Sequence, residues 1–166
     1  MKRKLHLKIL ASYLIFAVLA IGLLSTLTQN LTNQFLRENV AQQMYHESTL
    51  MASDLKDVLS EDTTKIKEMQ KNLEASTKYM SAEIWITDVH GNLYFDSNTA
   101  SIQMDAEQGT PQAIEEFNIQ DFEDSYYQTG NFYGSFSEDT LTVFSTITNN
   151  SDIQGYELFH KPMTEV

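Results

Sequence analysis

Apolar positions change their spacing several times along this 166-residue chain, and each change marks an element. From Ile9 to about Thr28 the residues are predominantly apolar and none is charged. A helix of about 20 residues rises about 30 Å, the thickness of a bilayer's hydrocarbon core. From Leu27 to about Leu59 apolar residues return at helical spacing: Leu27, Leu31, Phe35, Val40, Met44, Met51, Leu55, Val58 and Leu59. No Gly or Pro falls between Gly22 and Gly91, so the first helix is expected to run on beyond the membrane. Ser60-Glu61-Asp62-Thr63-Thr64 is a polar break rich in capping residues, and a second helix follows with Ile66, Met69, Leu73 and Met80 on one side.

The period then becomes two. Ala82 to Asp88 alternates like a strand, His90-Gly91-Asn92 reads as a tight turn, and Leu93 to Asp96 returns as a second strand. Ser97 to Gly130 is mixed, with a short helical piece expected from Pro111 to Phe117, Pro111 in its first turn. Three strands are expected to end the chain, at Asn131 to Phe136, Thr140 to Thr148 and Ile153 to His160. Ser137-Glu138-Asp139 and Asn149-Asn150-Ser151-Asp152 would turn between them. The predicted fold is therefore α+β. A transmembrane helix continues into a long helix, and a five-stranded antiparallel sheet with helices on one face completes it.

Charge gives the first segment a direction. Lys2, Arg3, Lys4 and Lys8 precede the apolar run, so the positive-inside bias places the N-terminus in the cytoplasm and residues after about 29 outside. A cleaved signal peptide is the competing reading, but its apolar region is usually about 7 to 15 residues. Here the run is longer, and small-residue patterns such as Val18-Leu19-Ala20 lie inside it. The expected layout is a basic cytoplasmic tail (1–8), a membrane helix (9–28), extracytoplasmic helices (29–80) and a sheet domain (81–162). Residues 163–166 are expected to begin the return toward the membrane.

Beyond the anchor the balance is acidic. No Lys or Arg occurs between Lys78 and Lys161, while 14 Asp and Glu do, for a chain net charge of -12. Nucleic-acid binding needs Lys and Arg against phosphate, so that class is excluded. Small anions want an Arg or Lys clamp that this interval lacks. Cations, cationic peptides and uncharged ligands fit better. With no cysteine, disulfides and thiolate sites are ruled out. His6, His46, His90 and His160 show no zinc-site spacing, and neither a nucleophile elbow nor a phosphate loop occurs, so no catalytic residue is assigned.

Several segments together carry a family resemblance: Ser81-Ala82-Glu83-Ile84-Trp85-Ile86-Thr87-Asp88 with Gly91-Asn92, then Tyr127 to Phe136, then Gly155 to Pro162. With the anchor, they resemble the N-terminal sensor region of bacterial membrane-bound sensor histidine kinases, whose extracytoplasmic domain is PAS-like, of the single Cache-like kind. The resemblance implies a homodimer whose paired helices carry a stimulus across the membrane. It also implies a kinase core, absent from these residues, through which alone a response regulator would be engaged. His46-Glu47 superficially matches the phospho-acceptor box but lacks its Pro and lies on the wrong side of the membrane from ATP, so no phospho-acceptor is assigned.

Two candidate sites remain. Glu115, Glu116, Asp121, Glu123 and Asp124 cluster hard oxygens that could hold a divalent cation, Ca²⁺ or Mg²⁺, though a solvated loop would look the same. No other cofactor is expected. Tyr126, Tyr127, Tyr133 and Tyr156, with Phe132 and Phe136, could line a ligand pocket on the concave face of the sheet, where such domains hold ligands; aromatic residues on strands also serve as ordinary core. The alternative functions are a membrane-anchored extracellular binding or surface protein, and the input domain of a chemoreceptor or other transmembrane receptor. A pilin-like subunit would need a short leader ending in Gly and a Glu inside the apolar run, and neither occurs.

Overall fold

The computed structural model describes residues 2–55, 63–98, 101–102, 112–122 and 125–166. The chain divides into two compact units, Met1–Glu38 and Asn39–Val166. Helix α1 (Lys2–Leu55) contains the boundary between them. Within the first unit every large apolar side chain from Ile9 to Leu36 is exposed in the single chain. This segment is long and apolar enough to cross a membrane. The polar break at 60–62, and Val58 and Leu59 of the expected stripe, lie outside the described residues.

The second unit is built on a sheet. From Ala41 onward α1 buries Ala41, Met44, Ser48, Ala52 and Leu55, a stripe at spacings of three and four. Three of those five are small, which lets the helix lie close to what it covers. Helix α2 (Thr63–Met80) adds Leu73 and Met80 to the same core. Its end is capped twice: Ser81 takes the left-handed φ of 49°, and the Lys161 Nζ donates to the Met80 carbonyl at 2.7 Å. A cation at a helix C-terminus satisfies a free carbonyl and complements the dipole.

Five main strands follow: β1 (Glu83–Asp88), β2 (Asn92–Asp96), β5 (Tyr127–Gly130), β6 (Thr140–Asn149) and β7 (Asp152–Pro162). Two two-residue strands, β3 (Ser101–Ile102) and β4 (Gln112–Ala113), both pair with β2. The order is β3-β2-β1-β7-β6-β5, and every pairing is antiparallel. The N-terminal hairpin thus joins the C-terminal meander through β1 and β7. At the β1–β2 turn the Asp88 carboxylate accepts from the His90 and Asn92 amides (2.8 and 2.9 Å) and from Asn92 Nδ2 (2.7 Å). Gly91 takes φ 82° there, and a Cβ on it would lie 2.7 Å from the Phe117 ring.

Alternation along the strands gives the sheet two apolar faces. Ile84, Ile86, Leu141, Val143, Ile147 and Phe159 face the helices. Trp85, Leu158 and Phe144 face the other way, against Phe117, Phe122, Phe132 and Phe136. A bulge between Ile86 and Thr87 puts Phe95 opposite Ile86 and Leu93 opposite Thr87, so those two β2 residues serve different faces.

Two expected elements differ. The third strand lies at Tyr127–Gly130, while Asn131 to Phe136 is a turn in which Phe132, Tyr133 and Gly134 take φ of 43°, 54° and 75°. It is closed by Ser135 N to Phe132 O and Phe136 N to Asn131 O. The helical piece expected near Pro111 to Phe117 is, over 112–117, strand β4 and a turn at Glu115-Glu116; a 3₁₀ turn follows at Ile119–Phe122, and Pro111 lies outside the described residues.

Candidate functional site

The face of the sheet away from the helices carries a cleft of about 480 Å³ at one end. Its walls come from the end of α2 (Thr77, Lys78), the start of β1 (Glu83), the end of β2 with Ser97 and Asn98, the 136–138 loop, and the adjoining ends of β6 and β7 (Thr140, His160). The register explains this convergence: Glu83 pairs with His160 across β1 and β7, and His160 pairs with Thr142 across β7 and β6.

His160 is the floor. It is 1% exposed and boxed by aromatic rings: Trp85 and Phe132 at 4.6 Å, Phe136 at 4.8 Å. Its Nδ1 lies 2.9 Å from the Thr142 hydroxyl, and its Nε2 has no partner among the described residues. Burial among apolar rings disfavours the imidazolium and pushes its pKa down to about 3. The left-handed turn at 131–136 is what brings Phe132 and Phe136 over it.

Glu83 forms one wall. Trp85 Nε1 donates to its Oε1 at 2.8 Å, and Asn98 Nδ2 to its Oε2 at 3.0 Å. Burial raises its pKa, the Trp85 bond opposes that, and the nearby Asp96 carboxylate adds to it. Phe136 stacks on Trp85 at 5.3 Å and 24°. The exposed rim carries Lys78, Glu138 and Glu165.

Of the sequence-derived candidates, Phe136 lines this cleft and Phe132 packs on His160, while the carboxylates and the four tyrosines fall elsewhere. Of the five carboxylates, Glu115, Glu116 and Asp121 are exposed, and Glu123 and Asp124 lie outside the described residues. The Asp121 carboxylate accepts from the Tyr133 hydroxyl at 2.7 Å. Burial, and then that carboxylate, push the Tyr133 phenol up to about 12. Among the described residues no three His, Asp or Glu side chains stand close enough to hold a metal ion. The four tyrosines divide. Tyr126 and Tyr127 pack against the helix-side core, Tyr126 with Tyr45 of α1 at 4.9 Å. Tyr133 packs against the opposite core, and Tyr156 lies against Phe117 and Phe144.

Sequence reasoning missed His160, Glu83 and Trp85 as neighbours. The available signal was period two: His160 shares its face of β7 with Leu158 and Tyr156, so an inward-pointing imidazole was readable. On the helix side Glu157 is also fully buried, with Oε2 3.5 Å from the Ser145 hydroxyl and Oε1 without a partner among the described residues; burial raises its pKa well above the ordinary value.

No protein-family model matches the sequence, and no curated protein is similar to it. Solved structures are. The chain is similar to the extracellular domain vpHK1S-Z8, assigned to a histidine kinase (TM-score 0.55, 16% identity, 85% of this chain and 57% of that one). It is also similar to the sensor domain of the V. cholerae histidine kinase DctB (TM-score 0.54, 14% identity, 84% and 57%). A domain of a sensory box/GGDEF family protein from Vibrio parahaemolyticus is similar too (TM-score 0.53, 14% identity, 84% and 59%). The chain therefore has the fold of bacterial extracytoplasmic sensor domains, and spans less than two thirds of the length of these three structures.

Proposed function

We propose that this chain is the extracytoplasmic sensory input region of a membrane-bound sensor histidine kinase, working as a homodimer with its N-terminus in the cytoplasm. One observation carries the reading. Helix α1 contains both the membrane-length apolar segment and the buried stripe Ala41, Met44, Ser48, Ala52 and Leu55 on the sheet. The sheet's other face holds the cleft. A ligand that shifts the strands in the cleft would therefore press on the packing of α1 through a core too dense to absorb the change. The fold shared with sensor domains supports the sensory role. The likeness to a sensory box/GGDEF protein supports the same input role with a different output.

The absence of cysteine makes the test direct. Single cysteines are placed from Leu24 to Leu36 in the full chain, in native membranes, and oxidised. Paired signalling helices give disulfide yields that peak every 3.5 to 3.6 residues. A flat profile would remove the homodimeric transmission mechanism and leave a membrane-anchored binding protein. Labelling by a membrane-impermeant maleimide should reach Cys at position 34 in intact cells and Cys at position 4 only after permeabilisation. The reverse pattern would overturn the orientation.

A further inference from the structure

We propose that the cleft over His160 recognises a small organic cation carrying N–H donors, such as a primary ammonium, with the imidazole Nε2 as the acceptor at its floor. This deepens the sensory reading and rests on it. The first argument is the direction of the hydrogen-bond chain. The Thr140 hydroxyl donates to the Gly130 carbonyl at 3.0 Å, so toward Thr142, 3.5 Å away, it can only accept. The Thr142 hydroxyl then donates to Thr140 and accepts from His160 Nδ1 at 2.9 Å. Every polar atom in this chain is used. The opposite tautomer would make Thr142 the donor to Nδ1, lose the Thr140–Thr142 bond, and bury an N–H with nothing to receive it. The network that makes the most bonds leaves Nε2 with a bare lone pair, and no partner among the described residues meets it.

The second argument is charge. Among the described residues Glu83, Glu138 and Glu165 line the cleft against one ammonium, that of Lys78, and the imidazole at its floor is neutral. The nearby Lys161 amine is already bonded to the Met80 carbonyl. An anion would enter an excess of negative charge and meet a lone pair at the floor. An ammonium would meet carboxylates at the rim, the ring of Phe136 in the wall, and an acceptor beneath.

Titration calorimetry of the full chain in lipid nanodiscs uses three probes: butylammonium, tetramethylammonium and butyrate. Butylammonium should bind saturably and shift the His160 Nε2 resonance in ¹⁵N spectra. Tetramethylammonium, which has no N–H, should bind at least about tenfold more weakly, the scale of one hydrogen bond to a charged group. Butyrate should not bind. His160→Phe keeps an aromatic ring in the stack and should abolish the preference for butylammonium over tetramethylammonium. Should that variant fail to fold, Glu138→Gln with Glu165→Gln, both exposed, should weaken butylammonium several-fold. Binding of butyrate, no binding of butylammonium, or butylammonium affinity unchanged by the variants would each overturn the proposal. The disulfide profile is read separately: a helical period with no butylammonium binding sinks the ligand assignment and leaves the sensory reading standing.

Discussion

Lowering the pH from 7 to 5 should remove roughly 2 kcal/mol of stability through His160 alone. The native imidazole titrates near 3, against 6.5 in the unfolded chain. Between those values the unfolded chain holds a proton that the native chain refuses, so the unfolded state gains as the pH falls. The sign is that of a depressed pKa: the contribution is complete above 6.5 and lost downward toward 3. Each unit in that window is worth about 1.4 kcal/mol, and the 1.5 units from 6.5 to 5 give roughly 2 kcal/mol. Glu157 acts in the opposite sense. Its pKa is raised by burial, so its contribution is complete below 4.5 and lost as the pH rises toward the native value. The two must therefore be separated by a variant. Guanidinium unfolding of the wild type and of His160→Gln, followed from pH 7 to 5, does so. Trp85 is the sole tryptophan and touches the His160 ring, which makes its fluorescence the probe. The gap between the two stability profiles should change by roughly 2 kcal/mol over that range. Parallel profiles would refute the buried neutral imidazole and with it the floor of the proposed cleft.

Two further substitutions probe the frame around the site. Gly155→Ala would place a Cβ on the Thr87 carbonyl oxygen at the β1–β7 junction, and should cost about 3 kcal/mol by overpacking; a loss under about 1 kcal/mol in the unfolding free energy from denaturant titration would contradict that packing. Asp88→Ala removes the acceptor of three hydrogen bonds in the β1–β2 turn and should cost about 1 kcal/mol at pH 7. Burial raises the Asp88 pKa, but bonds from Asn92 and His90 outweigh it and the net shift is downward. The Asp88 contribution should therefore fade as the pH falls below 3.8, and a wild-type-to-variant difference that grew on acidification would refute the assignment.

Much of the architecture followed from local pattern alone. An uncharged apolar run flanked by Lys and Arg on one side marks a helix long and apolar enough to cross a membrane, because length and transfer free energy are properties of the segment itself. The long helix, the first hairpin and the two long C-terminal strands were equally legible, because helical and strand periods are written within ten or so residues. The small residues that seat α1 on the sheet, Ala41, Ser48 and Ala52, were not; a hydrophobic pattern weighs side-chain size upward, whereas close approach needs it small.

What only the tertiary structure decided is which strand faces meet. Asn131 to Phe136 reads as a strand by composition, yet three successive left-handed residues fold it into a turn. That conformation is held by its own hydrogen bonds and by burying Phe132 under Trp85 and His160. The tyrosines looked like one set by residue type, yet Tyr126 and Tyr127 pack on the helix-side core, while Tyr133, in the left-handed turn, and Tyr156, on β7, pack on the opposite one. The cleft joins Glu83 to His160, 77 positions away, through a strand pairing that no local window contains. Spacing along the chain specified the elements; register between strands, set by the burial of both faces at once, specified the site.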